Sequence, residues 1–360
     1  MKNILIFSHE FPPRLGGAGV IANQLATNLS ENYKVTVVTK KRREADFSNC
    51  SFNVIEIFTV KYLWIFSYIL FYFFNDLRKY ETIILNDGGA IFSAGLIFNE
   101  NLLNNSIIYI HGVEKYFELN NFFSYFFKKI FKRSLKYSKN IIAVSHYITN
   151  EVFEEVKFLE FKDKVKIINN PIEKSLFFET QKSYIRNKYN IEMDSVVLIS
   201  VSRIVKKKGY DHMYKLFKKI QKKSSKKHYW LIVGEGNYKN KLEQLINKEN
   251  TKNIIFTGFV PQKKLRFYYS AADIFWLLSE LKESYGNVYQ EAQACNTIAI
   301  GWNKYGVKES INTKFGLLAK NDDEILKFVL NDYKLLNNNS INLLTSVQWI
   351  NKIKKILNNG

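Results

Sequence analysis

The stretch from Ala272 to Gly301 is the part of this 360-residue chain that most constrains its fold. An apolar run, Asp273 to Leu278, is followed by a polar loop from Ser279 to Ser284, a helical pattern from Val288 to Cys295, and a second apolar run from Thr297 to Ile300. This strand–loop–helix–strand order is the building block of a parallel α/β sheet. Ligands bind such sheets at the carboxyl ends of the strands, so the loop is a candidate ligand site.

Two carboxylates lie in this unit, Glu283 in the loop and Glu291 in the helical pattern. Small residues follow Glu291 and favour close packing of the helix on a sheet, where an unpaired buried charge would be costly. The turn before the helix presents free amide groups at a helix N-terminus, which is typical of anion sites. It consists of Tyr285, Gly286, Asn287 and Val288. This context favours a binding site over two solvated surface charges.

The same alternation of short apolar strands and helical stretches continues through the rest of the chain. The first ~145 residues contain several such strands, which predicts a Rossmann-like domain. A second series begins at Val196 to Val201, and it includes the unit around Glu283 and Glu291. The pattern therefore indicates an α/β protein with two Rossmann-like domains.

The composition limits the classes of protein to which the chain can belong. Hydrophobic residues form 46% of the chain, which is enough for a full core. The two cysteines, Cys50 and Cys295, have no metal-ligand spacing and suggest no disulfide framework, which fits a reducing cytoplasm. The N-terminus, MKNILIFS, lacks the features of a signal peptide. The longest uncharged apolar run, Tyr62 to Phe74, is shorter than the ~20 residues that span a bilayer.

The net charge of +20 favours anionic partners, which could be nucleic acid, an anionic membrane surface or phosphorylated ligands. The segment from Arg203 to Lys227 has eleven basic residues and one acidic residue, Asp211, and contains no recognised nucleic-acid-reading module. We interpret it as a solvated basic face and expect no nucleic-acid partner, with a basic nucleic-acid-binding protein as the alternative from a different class.

Three further motifs follow predicted strands. Gly16 and Gly17 lie between the first strand and the first helix and can present amides to an anion. Arg203 and Lys208 follow the strand that begins the second series, where two cations can clamp a diphosphate and neutralise the charge that develops as it leaves. Gly234 follows the next strand, and we assign it to the same candidate binding site.

One histidine stands out by its position. His111 lies at the carboxyl end of a strand and is followed by Gly112, whereas His212 and His228 lie in basic stretches and are expected to be exposed. A lone histidine is often structural, so its functional assignment depends on the wider pattern.

Taken in order, these motifs resemble those of the family 4 retaining glycosyltransferases, which have the GT-B fold. The resemblance implies that Glu283 faces the sugar hydroxyls, that Glu291 faces the ribose, and that the amides of residues 285–288 face the phosphates and sugar. It also implies that the loop with Gly16 and Gly17 faces the donor phosphates and that Phe259 and Val260 flank the nucleotide base. His111 would lie near the sugar and acceptor, and we predict His111, Glu283, Arg203 and Lys208 as the catalytic residues.

The resemblance further implies two Rossmann-like domains that face each other across a cleft. We predict an acceptor domain at 1–171 joined by a C-terminal helix at 345–360 that crosses back, and a donor domain at 172–344. No D-x-D motif occurs that could hold a divalent metal, so we expect metal-independent catalysis without a cofactor. Asn296 and the stretch after Gly301 depart from the family pattern and leave the sugar open. A hydrolysing sugar-nucleotide epimerase of the same fold is the alternative enzyme.

Two aromatic-rich stretches predict association with a membrane. The first is Tyr62 to Phe74; the second, Phe122 to Lys139, places Phe123, Phe126, Phe127 and Ile130 on one helical face. The cations of the second stretch gather along its sides, as in a helix that lies in a membrane interface; they are Lys128, Lys129, Lys132, Arg133 and Lys136. We expect peripheral association with the inner face of the cytoplasmic membrane and a lipid-linked glycan acceptor of bacterial surface polysaccharide or lipopolysaccharide assembly. The alternative is that both aromatic faces belong to the core.

Overall fold

A computed structural model describes residues 1–12, 16–42, 45–58, 64–112, 122–156, 162–336 and 341–358, without the side chains of residues 64, 122, 123 and 162. The chain divides into two compact units. Unit 1 comprises Met1–Asn170 and Ser346–Gly360, and unit 2 comprises Pro171–Thr345.

Unit 1 is built on a seven-stranded parallel sheet with the order β3-β2-β1-β4-β5-β6-β7. Its strands are β1 (Asn3–Phe7), β2 (Lys34–Lys40), β3 (Asn53–Ile57), β4 (Thr82–Leu85), β5 (Ser106–Ile110), β6 (Asn140–Ala143) and β7 (Val165–Ile167). The central strands are short apolar runs that are almost completely buried, as expected for a parallel sheet covered on both faces. The chain order reverses at β1, which pairs with both β2 and β4, so the carboxyl ends of these strands form a topological switch point.

The α-helices described in unit 1 connect these strands. They are α1 (Gly17–Leu29), α2 (Trp64–Phe74), α3 (Gly88–Ile97), α4 (Glu100–Asn104), α5 (Phe122–Tyr137) and α6 (His146–Val156). Helix α3 packs against both α2 and α5. The first two residues of the aromatic stretch predicted at Tyr62 to Phe74 lie outside the described part of the chain.

Unit 2 repeats the plan with a six-stranded parallel sheet of order β10-β9-β8-β11-β12-β13. The strands are β8 (Val196–Val201), β9 (His228–Val233), β10 (Ile254–Gly258), β11 (Ile274–Leu277), β12 (Ile298–Trp302) and β13 (Gly316–Ala319). Numbered within the unit, this is the order 3-2-1-4-5-6 of the Rossmann fold. The predicted pair of Rossmann-like α/β units is therefore confirmed.

The α-helices described in unit 2 are α7 (Ser183–Lys188), α8 (Tyr210–Lys223), α9 (Lys239–Lys248), α10 (Gln262–Ala271), α11 (Asn287–Ala294), α12 (Val307–Ser310) and α13 (Asp322–Lys327). Each helix that follows a buried strand begins near the carboxyl edge of the sheet, so the intervening loops collect there. His228 lies in β9 and is buried, so the expectation that it is exposed is wrong. His212 is half-buried, and its Nε2 lies 2.7 Å from Asp322 Oδ1.

The last helix, α14 (Ser346–Asn358), follows unit 2 in sequence but packs within unit 1. Its Trp349 is fully buried and donates a hydrogen bond from Nε1 to the hydroxyl of Tyr109, with an N–O distance of 3.1 Å. At the other end of the helix, the Tyr33 hydroxyl donates to Asn358 Oδ1 over 3.2 Å. Helix α14 therefore contributes to the core of unit 1.

Helix α5 corrects part of the membrane prediction. Phe127 and Ile130 are buried, so they belong to the core. Arg133 donates to the carbonyls of Gly95 and Phe98 at the end of α3, over 2.6 and 2.9 Å. The prediction that these three residues face lipid is wrong, because a helical stripe identifies an apolar face without identifying what covers it.

Other parts of the same prediction have different outcomes. Lys128 forms an ion pair with Glu155 at 2.7 Å. Phe126 is exposed, and the side chain of Phe123 lies outside the described atoms. Among the helices that the structure describes, none is both long enough and apolar enough to cross a membrane.

The docking of α14 gives a stability prediction. Trp349→Ala should lower the free energy of unfolding of unit 1 by about 3–5 kcal/mol, because it removes a fully buried indole and leaves a cavity. Amide hydrogen exchange in β5 would measure this change. Val347→Ala, on an exposed position of the same helix, is the matched control and should leave exchange unchanged. Equal protection of β5 in wild type and Trp349→Ala would contradict the assignment of this helix to the unit 1 core.

Candidate functional site

In unit 2, two of the predicted catalytic residues meet at the carboxyl edge of the sheet. Lys208 lies in the loop after β8 and Glu283 in the loop after β11, 75 residues later. The Lys208 Nζ donates to Glu283 Oε1 over 2.6 Å, and both side chains are half-buried. The pair combines a cation and a carboxylate where a parallel sheet binds its ligands.

Backbone contacts hold these two loops together. The amide of Glu280 donates to the carbonyl of Lys207 over 2.9 Å. Gly209 has a φ of +79°, and a Cβ at this position would overlap the carbonyl oxygen of Leu278. Only glycine satisfies both conditions at low cost, so Gly209 permits the approach that brings Lys208 to Glu283.

Glu291 lies in the second turn of α11 and is held by one hydrogen bond. The hydroxyl of Tyr269, a fully buried residue of α10, donates to Glu291 Oε2 over 2.9 Å. The other oxygen, Oε1, makes no hydrogen bond within the described chain. Burial disfavours the charged carboxylate and raises the pKa of Glu291 to about 7. A carboxyl group with one anchored and one available oxygen is suited to bind hydroxyl groups.

The turn before α11 has the predicted geometry of a helix N-terminus. Gly286 caps the helix with a φ of +93°, and Asn287 begins it. Asn287 and Val288 are half-buried. The ring of Tyr285 is buried, and its hydroxyl accepts a hydrogen bond from Gln290 Nε2 over 2.6 Å. The buried side chain of Tyr285 therefore stabilises the turn through its contact with α11.

The remaining predicted residues of unit 2 are more dispersed. Arg203 is exposed, and its side chain makes no hydrogen bond or ion pair with the described residues. Gly234 has a φ of +134°, and a Cβ there would overlap the carbonyl oxygen of Ser202. Gly234 thus allows the loops after β8 and β9 to lie in contact.

Phe259 and Val260 follow β10 and line a cavity whose other residues do not include Lys208 or Glu283. They line a cavity of about 290 Å³ beside α7 and α10, and the ring of Phe259 is 74% exposed. The other residues around this cavity are Tyr184, Ile185, Lys188, Thr257, Pro261, Lys264, Phe267 and Tyr268. The structure therefore brings together Lys208 and Glu283 but gives Phe259 and Val260 separate surroundings.

In unit 1, the loop with Gly16 and Gly17 faces a carboxylate. Gly16 caps the N-terminus of α1, Gly17 has open space beside it, and a Cβ on Gly16 would overlap the carboxylate of Glu10. A carboxylate at this position is favoured by the partial positive charge of the helix N-terminus. Glu10 thus lies beside the loop that we predicted to meet the donor phosphates.

His111 lines a cavity of about 240 Å³ in unit 1. Its Nε2 lies 2.8 Å from Asn86 Oδ1, and its ring stacks on Tyr109 with centroids 4.4 Å apart. Burial lowers the pKa of His111 to about 3, so the imidazole is neutral at physiological pH.

The same cavity contains residues that the sequence analysis did not assign. Burial, together with the nearby charges of Lys40 and Arg42, lowers the pKa of His9 to about 4. Asp87 accepts hydrogen bonds from the His9 amide over 2.8 Å and from the Tyr68 hydroxyl over 3.0 Å, while burial raises its pKa.

A signal for these residues was present in the sequence. Asn86 and Asp87 directly follow a buried strand and precede Gly88, the same context that singled out His111. Within the described residues, no group of three or more His, Cys, Asp or Glu side chains could hold a metal ion.

Comparison with known proteins assigns the chain to a family. A model described as "Glycosyl transferases group 1" matches residues 181–354, and a model described as "Glycosyltransferase Family 4" matches residues 15–176. The chain belongs to the group 1, family 4 glycosyltransferases.

Several curated glycosyltransferases are similar in sequence. An uncharacterized glycosyltransferase of Methanocaldococcus jannaschii is 28% identical over 53% of this chain and 47% of its own length. N-acetyl-alpha-D-glucosaminyl L-malate synthase of Bacillus anthracis is 30% identical over 49% of this chain and 45% of its own length. These matches thus span about half the length of either relative.

Solved glycosyltransferase structures share the fold. HepE of Anabaena, in complex with UDP and glucose, superposes with a TM-score of 0.75 at 14% identity and covers 99% of both chains. WaaG, a glycosyltransferase involved in lipopolysaccharide biosynthesis, gives a TM-score of 0.71 at 14% identity, covering 99% of this chain and 100% of its own. Together with the two parallel sheets, these likenesses confirm the predicted GT-B fold of this family 4 glycosyltransferase.

The raised pKa of Glu291 predicts a pH dependence of stability. Between the ordinary carboxyl pKa of 4.5 and the folded value of about 7, the native state binds a proton that the unfolded state releases. The free energy of unfolding contributed by Glu291 is therefore greatest below pH 4.5 and is lost as the pH rises through 7.

Glu291→Gln cannot titrate, so it should gain on the order of 2 kcal/mol relative to wild type between pH 5 and pH 8. Urea unfolding at both pH values measures this difference. Glu280→Gln changes an exposed residue in the neighbouring loop, so its free energy of unfolding should change with pH as that of the wild type does. Parallel curves for wild type and Glu291→Gln would show that the carboxyl titrates in the usual range.

Proposed function

We propose that this protein transfers a hexose or N-acetylhexosamine from a nucleotide-sugar to a lipid-linked glycan acceptor, with retention of configuration and without a metal. The Lys208–Glu283 ion pair carries the proposal, because it places a cation for phosphate beside a carboxylate for sugar hydroxyls in a member of this family. The UDP and glucose in the HepE complex support a nucleotide-sugar as donor. The proposed setting is glycan assembly at the inner face of the cytoplasmic membrane.

We assign the diphosphate to Lys208 and Arg203. An ammonium group has three donors, so Lys208 can keep its bond to Glu283 and still donate to phosphate oxygens. The exposed guanidinium of Arg203 follows the same strand and is unengaged within the described chain. Two cations can stabilise the negative charge that develops on the leaving diphosphate, which is the role a divalent metal performs in other transferases.

We assign the sugar and the ribose of the donor to the two carboxylates. Glu283 is oriented by Lys208 and would accept hydrogen bonds from the sugar hydroxyls. Glu291 is oriented by Tyr269 and would offer Oε1 to the ribose hydroxyls. The amides at Gly286, Asn287 and Val288 would bind phosphate and sugar oxygens at the N-terminus of α11.

We assign the acceptor to the unit 1 cavity that contains His111. Its ring is neutral and held by Asn86, and Glu10 and Asp87 line the same cavity. Groups of this kind bind hydroxyls by accepting their hydrogen bonds.

Membrane association is proposed through helix α2. Phe66, Leu70, Phe73 and Phe74 recur at helical spacing and are 60, 57, 73 and 83% exposed. The opposite face is buried, since Tyr68 and Phe71 pack edge-on against Phe7. Two exposed cations, Arg78 and Lys79, follow the helix, and the whole chain carries a net charge of +20. An exposed aromatic face near cations fits an anionic lipid surface.

The donor assignments can be separated by calorimetry and kinetics. Glu291→Ala should weaken binding of UDP or GDP about 10–100-fold, since it removes a hydrogen-bonding carboxyl from the nucleotide. Glu283→Ala should keep nucleotide affinity and slow transfer. Arg203→Ala and Lys208→Ala should reduce turnover about 10²–10³-fold.

Lys206→Ala changes an exposed lysine of the same loop and should behave as wild type. Unchanged nucleotide affinity in Glu291→Ala would reject the ribose assignment. EDTA should leave wild-type turnover intact, and an activity abolished by EDTA would reject the metal-free mechanism.

The membrane proposal is tested by sedimentation with phosphatidylcholine vesicles that contain phosphatidylglycerol. Burial of each phenylalanine is worth about 1.5–3 kcal/mol, so a Phe66→Ser/Phe74→Ser variant should lose at least about tenfold in vesicle binding. Met193→Ser/Leu335→Ser removes side chains of similar exposure, 57 and 81%, from unit 2 and should sediment as wild type does. A wild-type protein that stays in the supernatant at low salt would favour a soluble acceptor.

A further inference from the structure

A chain of buried hydrogen bonds in unit 1 ends at His111. It begins at Ser8, whose Oγ lies 2.8 Å from the carbonyl oxygen of Glu10. A carbonyl oxygen only accepts, so the hydroxyl proton of Ser8 is committed to Glu10. The Ser8 oxygen is then left as an acceptor for its other neighbour, Asn86.

The orientation of the Asn86 amide follows from this. Its Nδ2 lies 3.2 Å from Ser8 Oγ and 3.3 Å from the carbonyl oxygen of Ala18. Both partners accept at these contacts, so the NH₂ group must face them. The carbonyl of the amide, Oδ1, therefore faces His111, and Asn86 is fully buried and has no other arrangement that satisfies all three neighbours.

The tautomer of His111 follows in turn. Oδ1 of Asn86 only accepts, and it lies 2.8 Å from His111 Nε2, so Nε2 carries the proton. A neutral imidazole has one proton, which leaves Nδ1 with a lone pair. Nδ1 has no hydrogen-bond partner in the described part of the chain. It is the ring nitrogen that remains for a ligand.

The surroundings keep the ring neutral. His111 stacks on Tyr109, and the other titratable groups that line its cavity are His9, Glu10 and Asp87. Burial lowers the pKa of His111 to about 3 and contributes most to the lowered pKa of His9, about 4, so neither imidazole is charged at pH 7. The carboxylates are not close enough to His111 to form an ion pair in the described structure.

The charged groups that line the cavity are acidic, although Lys40 and Arg42 lie near His9. Among the described residues that line it, none is lysine or arginine, and two are carboxylic acids. An ionised phosphate or carboxylate oxygen only accepts hydrogen bonds, so it has no proton to donate to the lone pair of Nδ1. A hydroxyl group would find lone pairs to donate to.

We infer that Asn86 is a positioning residue that fixes the Nε2-protonated tautomer of His111, so that Nδ1 accepts a hydrogen bond from a hydroxyl of an uncharged sugar or polyol group. This deepens the proposed function, on which it rests for identifying that group as part of the acceptor. It assigns the unit 1 cavity to the neutral, hydroxyl-bearing end of the acceptor.

Nitrogen-15 NMR of the full chain labelled at histidine tests the tautomer without any transfer reaction. The chain has five histidines, and the His111 signals are assigned by their loss in His111→Gln. We expect a protonated Nε2, an unprotonated Nδ1 and no titration down to pH 5. A protonated Nδ1, or a titration midpoint near 6.5, would overturn the inference.

Two variants of Asn86 show whether this residue sets the tautomer. Asn86→Asp keeps the shape, and its carboxylate can pair with an imidazolium, so the titration midpoint of His111 should rise by at least 1 pH unit. Asn86→Leu removes the acceptor and should give a mixture of the two neutral tautomers. If Asn86→Leu does not fold, Asn86→Asp alone decides, and a His111 spectrum identical to wild type would reject the positioning role.

The ligand class is tested on the same signal. Methyl α-D-glucopyranoside at tens of millimolar should shift the His111 Nδ1 resonance of wild type, whereas malate and inorganic phosphate at equal concentration should not. A shift with malate or phosphate, or none with the glycoside, would reject a neutral hydroxyl ligand. Because neither test requires a donor or turnover, a correct tautomer in a protein that transfers no sugar would refute only the proposed function.

Discussion

Close approach of backbone segments at two glycines is the constraint on which the candidate donor site depends. Gly209 and Gly234 have φ values of +79° and +134°, and a Cβ on either would overlap a carbonyl oxygen of a neighbouring loop. Without these contacts the loops after β8, β9 and β11 would stand apart, and Lys208 could not reach Glu283. The chemistry of the pair therefore depends on residues that carry no functional group.

Burial sets the protonation of the key groups in both units, with opposite consequences for the ligands each can hold. In unit 1 it keeps His111 neutral in a cavity that two carboxylic acids also line, so the ring offers a lone pair and no positive charge. In unit 2 it raises the pKa of Glu291 to about 7, while Lys208 and Arg203 supply cations in the loop after β8. The proposed hydroxyl-bearing acceptor and the proposed anionic donor thus have separate, chemically matched surroundings.

The sequence predicted the fold well because buried parallel strands are short uninterrupted apolar runs. Strand β8 at Val196–Val201 was predicted residue for residue, and the runs predicted at Asp273 to Leu278 and Thr297 to Ile300 differ from β11 and β12 by one or two residues at their ends. The hydrogen-bond partners of side chains on neighbouring elements could not be predicted from the sequence. The bonds from Asn86 to His111 and from Tyr269 to Glu291 depend on how neighbouring strands and helices align in three dimensions, which periodicity does not encode.

The periodicity of the two aromatic helices also does not show what covers their apolar faces. Their composition, by contrast, distinguishes the two helices. Helix α5 has polar residues that find protein partners, since Arg133 caps α3 and Lys128 pairs with Glu155. Phe127 and Ile130 of its apolar stripe belong to the core. Helix α2 is apolar on almost every face, so packing one side on the sheet necessarily leaves the other in water, at a cost of about 25 cal/mol per Å². Its buried side contributes Tyr68, which holds Asp87 in the His111 cavity. A lipid surface that covers the outer side of α2 would therefore act on the same helix that positions part of the proposed acceptor site.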